Sequence, residues 1–280
     1  MSSLSRAVSL LALSALLLAA PPAVAQYDDM RYGADDYEDD GIRQSVARLS
    51  WFEGEVSFSR ADEPDGWQFA AVNYPLTLGD RVWVGRDGRA ELQLLGATAW
   101  LAPESELSVL DLTHDVRHLS LTWGTATFRI RRLDREEVFE VATPNVSVTF
   151  ETPGVYRIDV DDEGNSRISV FQGRAYAAAA GGGVLLERGE RMRIDGFDRP
   201  VYDIVGLGRS DSWDRWVEMR SRLYRNVRSS SWVHADVYGL DDLDAYGSWQ
   251  EASGYGFVWF PTVSSAGWAP YRAGRWIWQD

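Results

Sequence analysis

The chain has 280 residues, a formal net charge of −14 and a sequence pI of about 4.7. So large an excess of acid repels phosphate backbones, which argues against nucleic-acid binding and against an anionic membrane surface. There is no cysteine, and all 28 basic residues are arginine, which excludes disulfides, thiolate sites, cysteine nucleophiles, Schiff-base lysines and any GxxxxGK loop.

Residues 1–25 read as a secretory signal. Arg6 supplies the basic start, Ala7 to Ala20 the apolar run, and Ala23-Val24-Ala25 an A-x-A site that would leave Gln26 first. The run is shorter than the roughly 20 residues of a comfortable membrane span, and no later segment approaches that length. The expectation is a chain that is periplasmic or secreted, with no transmembrane segment after cleavage. Residues 26–45 follow as an acidic linker, where seven acids crowd between Tyr27 and Gly41. Like charge at this density keeps a stretch solvated and is expected to leave it disordered.

From 46 to 197 the pattern has period two. RVWVG, RAELQLL, ELSVLDL, LSLTWG, TATFRI, VFEVAT, VSVTFE, VYRIDV and RISVFQG alternate apolar and polar residues between turn signals. Short alternating strands without crossover helices predict an all-β sandwich or solenoid-like fold. Gly79-Asp80 can open a tight turn in which Asp bonds a backbone N–H two residues on. Asp87-Gly88 is a hairpin signal, and Gly124 and Gly173 are turn or bulge sites.

Residues 198–232 read as a linker and one amphipathic helix. In Ser210 to Arg228, Trp213, Trp216, Val217, Leu223, Tyr224 and Val227 share a stripe. Ser210 or Asp211 can cap its start, and arginines gather toward its negative end. Residues 233–280 form a small aromatic β tail. Tyr246-Gly247-Ser248-Trp249 is echoed by Ala273-Gly274-Arg275-Trp276, and Trp259-Phe260-Pro261 by Trp268-Ala269-Pro270. A small module without disulfides needs such rings as its core; exposed rings would instead dock a sugar or a peptide.

No constellation assembles a nucleophile, a base and an orienting group. His114 and His118 flank a turn, so their rings need not converge on a metal. Asp159 to Ser166 has Val170 where a calcium loop needs a bidentate Glu, and a hairpin turn explains the same residues. Gly181–Gly183 lacks the helix of a phosphate loop, and His234 stands alone. The expectation is no catalytic residue, no metal and no cofactor.

The segment LTLGDRVWVGRDGRAELQL, followed by GATAWLAPESELSVLDL, LTWGTATFRI, FEVATPNVSVTFETPGVYRIDV and ISVFQGRAYA, resembles the FecR-type domain across Val46 to Asp195. The family pattern is a Gly-Asp pair, a strand, a Gly turn and a strand. The resemblance implies a periplasmic all-β, partly solenoid-like module without catalysis, in a family whose best-known members relay signals from an outer-membrane receptor to a sigma factor. It supplies no binding residues. The chain departs from the pattern at Thr152-Pro153-Gly154, and it is expected to lack the cytoplasmic segment that would touch a sigma factor. The helix and tail are similar to an accompanying exported domain of unknown function with Tyr-Gly-x-Trp and Trp-x-Pro signatures. The resulting expectation is a non-enzymatic binding or scaffold module of the bacterial envelope, tied to envelope signalling, with another envelope protein as partner. The alternative is a glycan- or peptidoglycan-binding module that uses Trp249, Tyr255, Trp259, Trp268, Tyr271 and Trp276. The oligomeric state is left open.

Overall fold

The computed structural model describes residues 45–222, 228–233 and 237–262. The signal sequence, the acidic stretch, His234, the helix-stripe residues Leu223, Tyr224 and Val227, and the tail residues Trp268, Tyr271 and Trp276 lie outside them. The described fold is all-β. One sheet runs, edge to edge, β4 (Tyr74–Leu76), β1 (Ala47–Glu53), β6 (Arg89–Leu94), β7 (Ala97–Leu101), β9 (Val116–Ile130), β12 (Gly154–Val160), β13 (Ser166–Gln172), β16 (Glu190–Asp195) and β17 (Val201–Gly206). The other runs β3 (Glu63–Phe69), β2 (Val56–Arg60), β5 (Arg81–Val84), β8 (Ser105–Leu112), β9 again, β10 (Val138–Ala142), β11 (Ser147–Phe150), β14 (Ala175–Ala179) and β15 (Gly182–Leu186). The β9–β10 pair is parallel; the other pairs are antiparallel.

Alternation in the central strands, such as β11 and β12, delivers one apolar face to the space between the sheets. Phe128, Phe139, Phe150 and Tyr156 meet there in edge-on and stacked contacts with centroids 4.4–6.0 Å apart. All four are buried to within 2% of full enclosure.

Strand β9 joins the sheets, and this changes the meaning of Gly124. LSLTWG and TATFRI are one continuous strand rather than two separated by a turn. Residues up to Trp123 pair with β8, while Gly124–Ile130 pair with β12. Gly124 sits at the crossing with φ +86°, and a Cβ there would lie 2.3 Å from the Glu104 carbonyl oxygen. Glycine thus permits both the left-handed backbone and the close approach that let one strand change sheets.

Asp87-Gly88 is likewise not a hairpin. β5 pairs with β2 and β8, and β6 with β1 and β7, so the Gly85–Gly88 turn carries the chain from one sheet to the other. Gly88 is absent from the positive-φ glycines. It is required because a Cβ would lie 2.4 Å from the Glu55 carbonyl oxygen. Gly79 does take positive φ, but Asp80 reaches backward rather than forward. It accepts from Thr77 N–H (2.9 Å), Ala61 N–H (3.2 Å) and Arg60 (2.6 Å), tying this corner to the end of β2. The Asp161–Asn165 turn does join the β12–β13 hairpin, with Asp161 Oδ1 accepting from the N–H groups of Glu163 and Asn165.

The ladder runs one strand beyond Asp195: β17 pairs along β16 in the segment expected as a linker. After it come α1 (Ser212–Arg222), a short 3₁₀ turn (Arg228–Ser231), α2 (Leu240–Tyr246) and a separate hairpin of β18 (Gly247–Ala252) and β19 (Gly256–Pro261). No helix among the described residues is long and apolar enough to cross a membrane.

Candidate functional site

Two tryptophan-bearing elements pack beyond the strand ladder. The first is α1, on the outer face of the first sheet. Register places Trp51, Glu91, Trp100, Thr127 and Arg157 in one row across β1, β6, β7, β9 and β12. Trp213 donates its indole N–H to Thr127 Oγ1 (3.0 Å) and stacks on Trp216 at 4.9 Å, which in turn meets Trp51. Trp213, Val217 and Trp216 are the described part of the expected stripe, and they face the sheet as helical spacing requires.

Asp211 caps the helix. Its Oδ1 accepts Asp214 N–H (2.9 Å), and Asp214 Oδ2 accepts Asp211 N–H (3.1 Å), a reciprocal capping box. Arg157 crosses both from the sheet, 2.7 Å from Asp211 and 2.9 Å from Asp214, while also holding Asp159. Burial opposes its charge, but Asp159 and the two cap carboxylates outweigh it and keep the guanidinium protonated. At the other end Arg220 Nη2 lies 2.9 Å from Glu91, whose side chain is wholly buried. Glu91 also accepts from Trp100 Nε1 (2.8 Å) and Ser50 Oγ (2.8 Å). A cavity of about 230 Å³ remains beneath α1, lined by Trp100, Thr127, Arg129, Phe171 and Asp214.

The second element is the tail. Its approach is tied to the body: Tyr238 OH donates to Val46 O (2.6 Å), Gly239 N–H to Gln93 Oε1 (3.2 Å), and Arg48 pairs with Asp242 (2.5 Å). Burial pushes the Tyr238 hydroxyl above the usual tyrosine range. Trp249 and Trp259 are both half-buried, and each uses its indole N–H internally. Trp249 donates to Ser229 Oγ (2.8 Å), which donates to Asp244 Oδ1 (2.6 Å); Trp259 donates to Leu243 O (2.9 Å). The Trp259 ring lies against Gly247, where a Cβ would come within 2.3 Å of it. This gives the Tyr-Gly-x-Trp signature a physical sense: the glycine seats the ring of the facing strand, and the tryptophan is locked to the 3₁₀ turn.

Of the sequence-predicted ring residues, Tyr255 stands apart at the hairpin tip, 85% exposed. Trp268, Tyr271 and Trp276 are outside the described residues. The structure adds two rings that the sequence did not single out. Trp232 stacks on Trp249 at 5.3 Å and meets Phe257 at 5.0 Å, yet stays 40% exposed. No local motif marks Trp232; only the docking of the hairpin beside the 3₁₀ turn brings it there. Arg228, Trp232, Asp244, Ser248 and Trp249 line a cavity of about 300 Å³. Asp244 also accepts the N–H groups of Arg228 and Ser229, so this carboxylate holds the turn in place. Ring faces beside hydrogen-bonding groups suit a ligand with apolar and hydroxyl surfaces.

The histidines separate. His114 bonds its neighbour Asp115, and His118 lies 3.3 Å from Glu140. No cluster of three candidate metal ligands occurs among the described residues.

Residues 240–280 match the model of a family of unknown function, DUF6600. No curated protein matches the chain. Two crystal structures of a candidate anti-sigma factor from Parabacteroides distasonis align at 18% and 17% identity, each with a TM-score of 0.39. Each alignment covers 44% of this chain and 58% of the other, less than two thirds of that protein's length.

Proposed function

We propose that this is an exported, non-enzymatic binding or scaffold protein of the bacterial envelope, built on a FecR-like β body and tied to envelope signalling. The observation that carries this reading is how the buried and half-buried acids are used. Asp80, Glu91, Glu137 and Asp214 each face an arginine at 2.6–2.9 Å. A carboxylate whose oxygens are spent on an arginine serves the fold, whereas a general acid or base must be free to reach a bound substrate. Export rests on the basic start, apolar run and A-x-A site of residues 1–25. Expression in a Gram-negative host tests both parts. The osmotic-shock fraction should hold a chain beginning at Gln26, and the purified chain should not turn over envelope glycans. Turnover abolished by a single Asp or Glu change would overturn the reading.

A second reading, glycan binding by the tail, is favoured by the partly exposed Trp232–Trp249–Phe257 cluster and its adjoining cavity. Tyr255, Trp259, Trp268, Tyr271 and Trp276 are further candidates for such a surface. Peptidoglycan fragments should then shift the indole emission of the intact chain and leave that of a chain lacking residues 241–280 unchanged. Equal responses from both chains would refute it.

A further inference from the structure

Four strands end the two sheets, and three carry features that discourage pairing. β3 has Pro64 between Glu63 and Asp65, β4 is three residues long around Pro75, and β15 opens on two glycines. β17 has none of these. Its sequence is VYDIVG, with Val201 73%, Tyr202 53%, Val205 51% and Ile204 38% exposed. Among the described residues it pairs on one side only, with β16.

The backbone phase of β17 is fixed. Leu207 N–H donates to Gly189 O on the β16 side. Residues Val201, Asp203 and Val205 share that phase, so Tyr202, Ile204 and Gly206 present their N–H and C=O groups to the free edge. We propose that β17 is a homotypic docking strand, pairing antiparallel with β17 of a second copy about a two-fold axis at Ile204.

Self-complementarity selects both the occupant and the register. With Ile204 opposite Ile204 of the second copy, Tyr202 faces Gly206, and every free-edge donor and acceptor of the three residues is used. Centring on Asp203 instead opposes two like charges. Centring on Tyr202 opposes Ile204 to Pro200, which has no N–H to give. The charges agree with the Ile204 register. Arg191 lies opposite Val205, and Arg193 opposite Asp203. Asp203 of the second copy would come next to Val205, placing it between its own Arg193 and the first copy's Arg191. Arg193 already faces its own copy's Asp203, so the carboxylate gained is Arg191's, whose Nε otherwise donates to Ser169 Oγ (2.9 Å). The arrangement is isologous and closes at two copies, extending the first sheet unbroken through the interface.

Sedimentation velocity on the full chain over a dilution series tests this. A dimer that dissociates on dilution is expected. Ile204→Pro removes the outward N–H at the axis in both copies and should raise the dimer dissociation constant at least about tenfold, with circular dichroism and melting unchanged. Because the chain has no cysteine, Ile204→Cys gives a single thiol. Facing Cα atoms in a hydrogen-bonded antiparallel pair are about 5.5 Å apart, within disulfide reach, so mild oxidation should yield a covalent dimer. Val201→Cys, well off the axis, should not. A wild-type chain that stays monomeric, or pairs only with a strand of another protein, overturns the proposal. So does a dimer that is indifferent to Ile204→Pro, or equal cross-linking at positions 201 and 204.

Discussion

In α1, Trp213 stacks on Trp216 and gives its indole N–H to Thr127, leaving Trp213 only 8% exposed; in the tail, Trp232 stacks on Trp249 yet remains 40% exposed. Ring chemistry alone does not separate the two. α1 lies on a broad sheet already built by β1, β6, β7, β9 and β12, and ion pairs at Arg157 and Arg220 hold both its ends. Among the described residues the tail offers a two-stranded hairpin, which has too little surface to cover a ring on both faces. A tryptophan becomes structural when a wide surface awaits it, and stays available for contact when its support is narrow.

The largest test of this contrast is at the buried end of α1. Arg220→Met takes the guanidinium away from the wholly buried Glu91. Stability should fall by about 3 kcal/mol, read as a drop in the denaturant midpoint. A fall below about 1 kcal/mol would mean that the rings, not the ion pair, hold the helix. Arg220 also lies 4.3 Å over the Trp51 ring, so emission from that side of the sheet should change as well.

Smaller effects belong to the tail. Gly247→Ala drives a Cβ into the Trp259 ring and should cost about 1–2 kcal/mol, felt by the hairpin while the main unfolding transition keeps its midpoint. A shift of the whole transition would show that tail and body unfold together. Trp232→Ala should remove one share of the acrylamide-accessible emission, leaving that of the comparably exposed Trp67 and Trp123. If the glycan reading holds, it should also weaken fragment binding about fivefold, the worth of one stacking contact. Unchanged quenching would place the accessible rings elsewhere.

Alternation in VSVTFE or VYRIDV was enough to announce strands, because a half-buried strand must alternate whatever its neighbours are. The glycines were less legible. Gly88 and Gly124 look like local turn signals, but whether a chain folds back or crosses to the facing sheet depends on pairing with residues far away in sequence. β17 and Trp232 were missed for the same reason: each acquires its role from a partner that no local pattern names. α2, LDDLDAY, is too short and acidic to announce a helix. Its docking through Tyr238 and the Arg48–Asp242 pair supports it.

The smallest expected effect is a pH step at the start of α1. Burial alone would raise the Asp211 carboxyl, but the Asp214 N–H and the Arg157 guanidinium outweigh it and hold the group below the usual aspartate range. A depressed folded value contributes stability above the unfolded value near 4 and loses it as pH falls through the lower folded value. Nothing should therefore change between neutrality and about pH 4; below that, the cap releases and the first turn frays. The Asp211 side chain is 49% exposed, so solvent screening limits the effect to about half a kcal/mol. The protection of the Trp213 and Asp214 amides against hydrogen exchange, taken relative to the intrinsic rate at each pH, should fall over that acid range in the wild-type chain. Asp211→Asn should exchange somewhat faster at neutral pH and show no such step. If both chains follow one curve, the capping box is incidental, and the Trp213–Thr127 contact holds the turn without it.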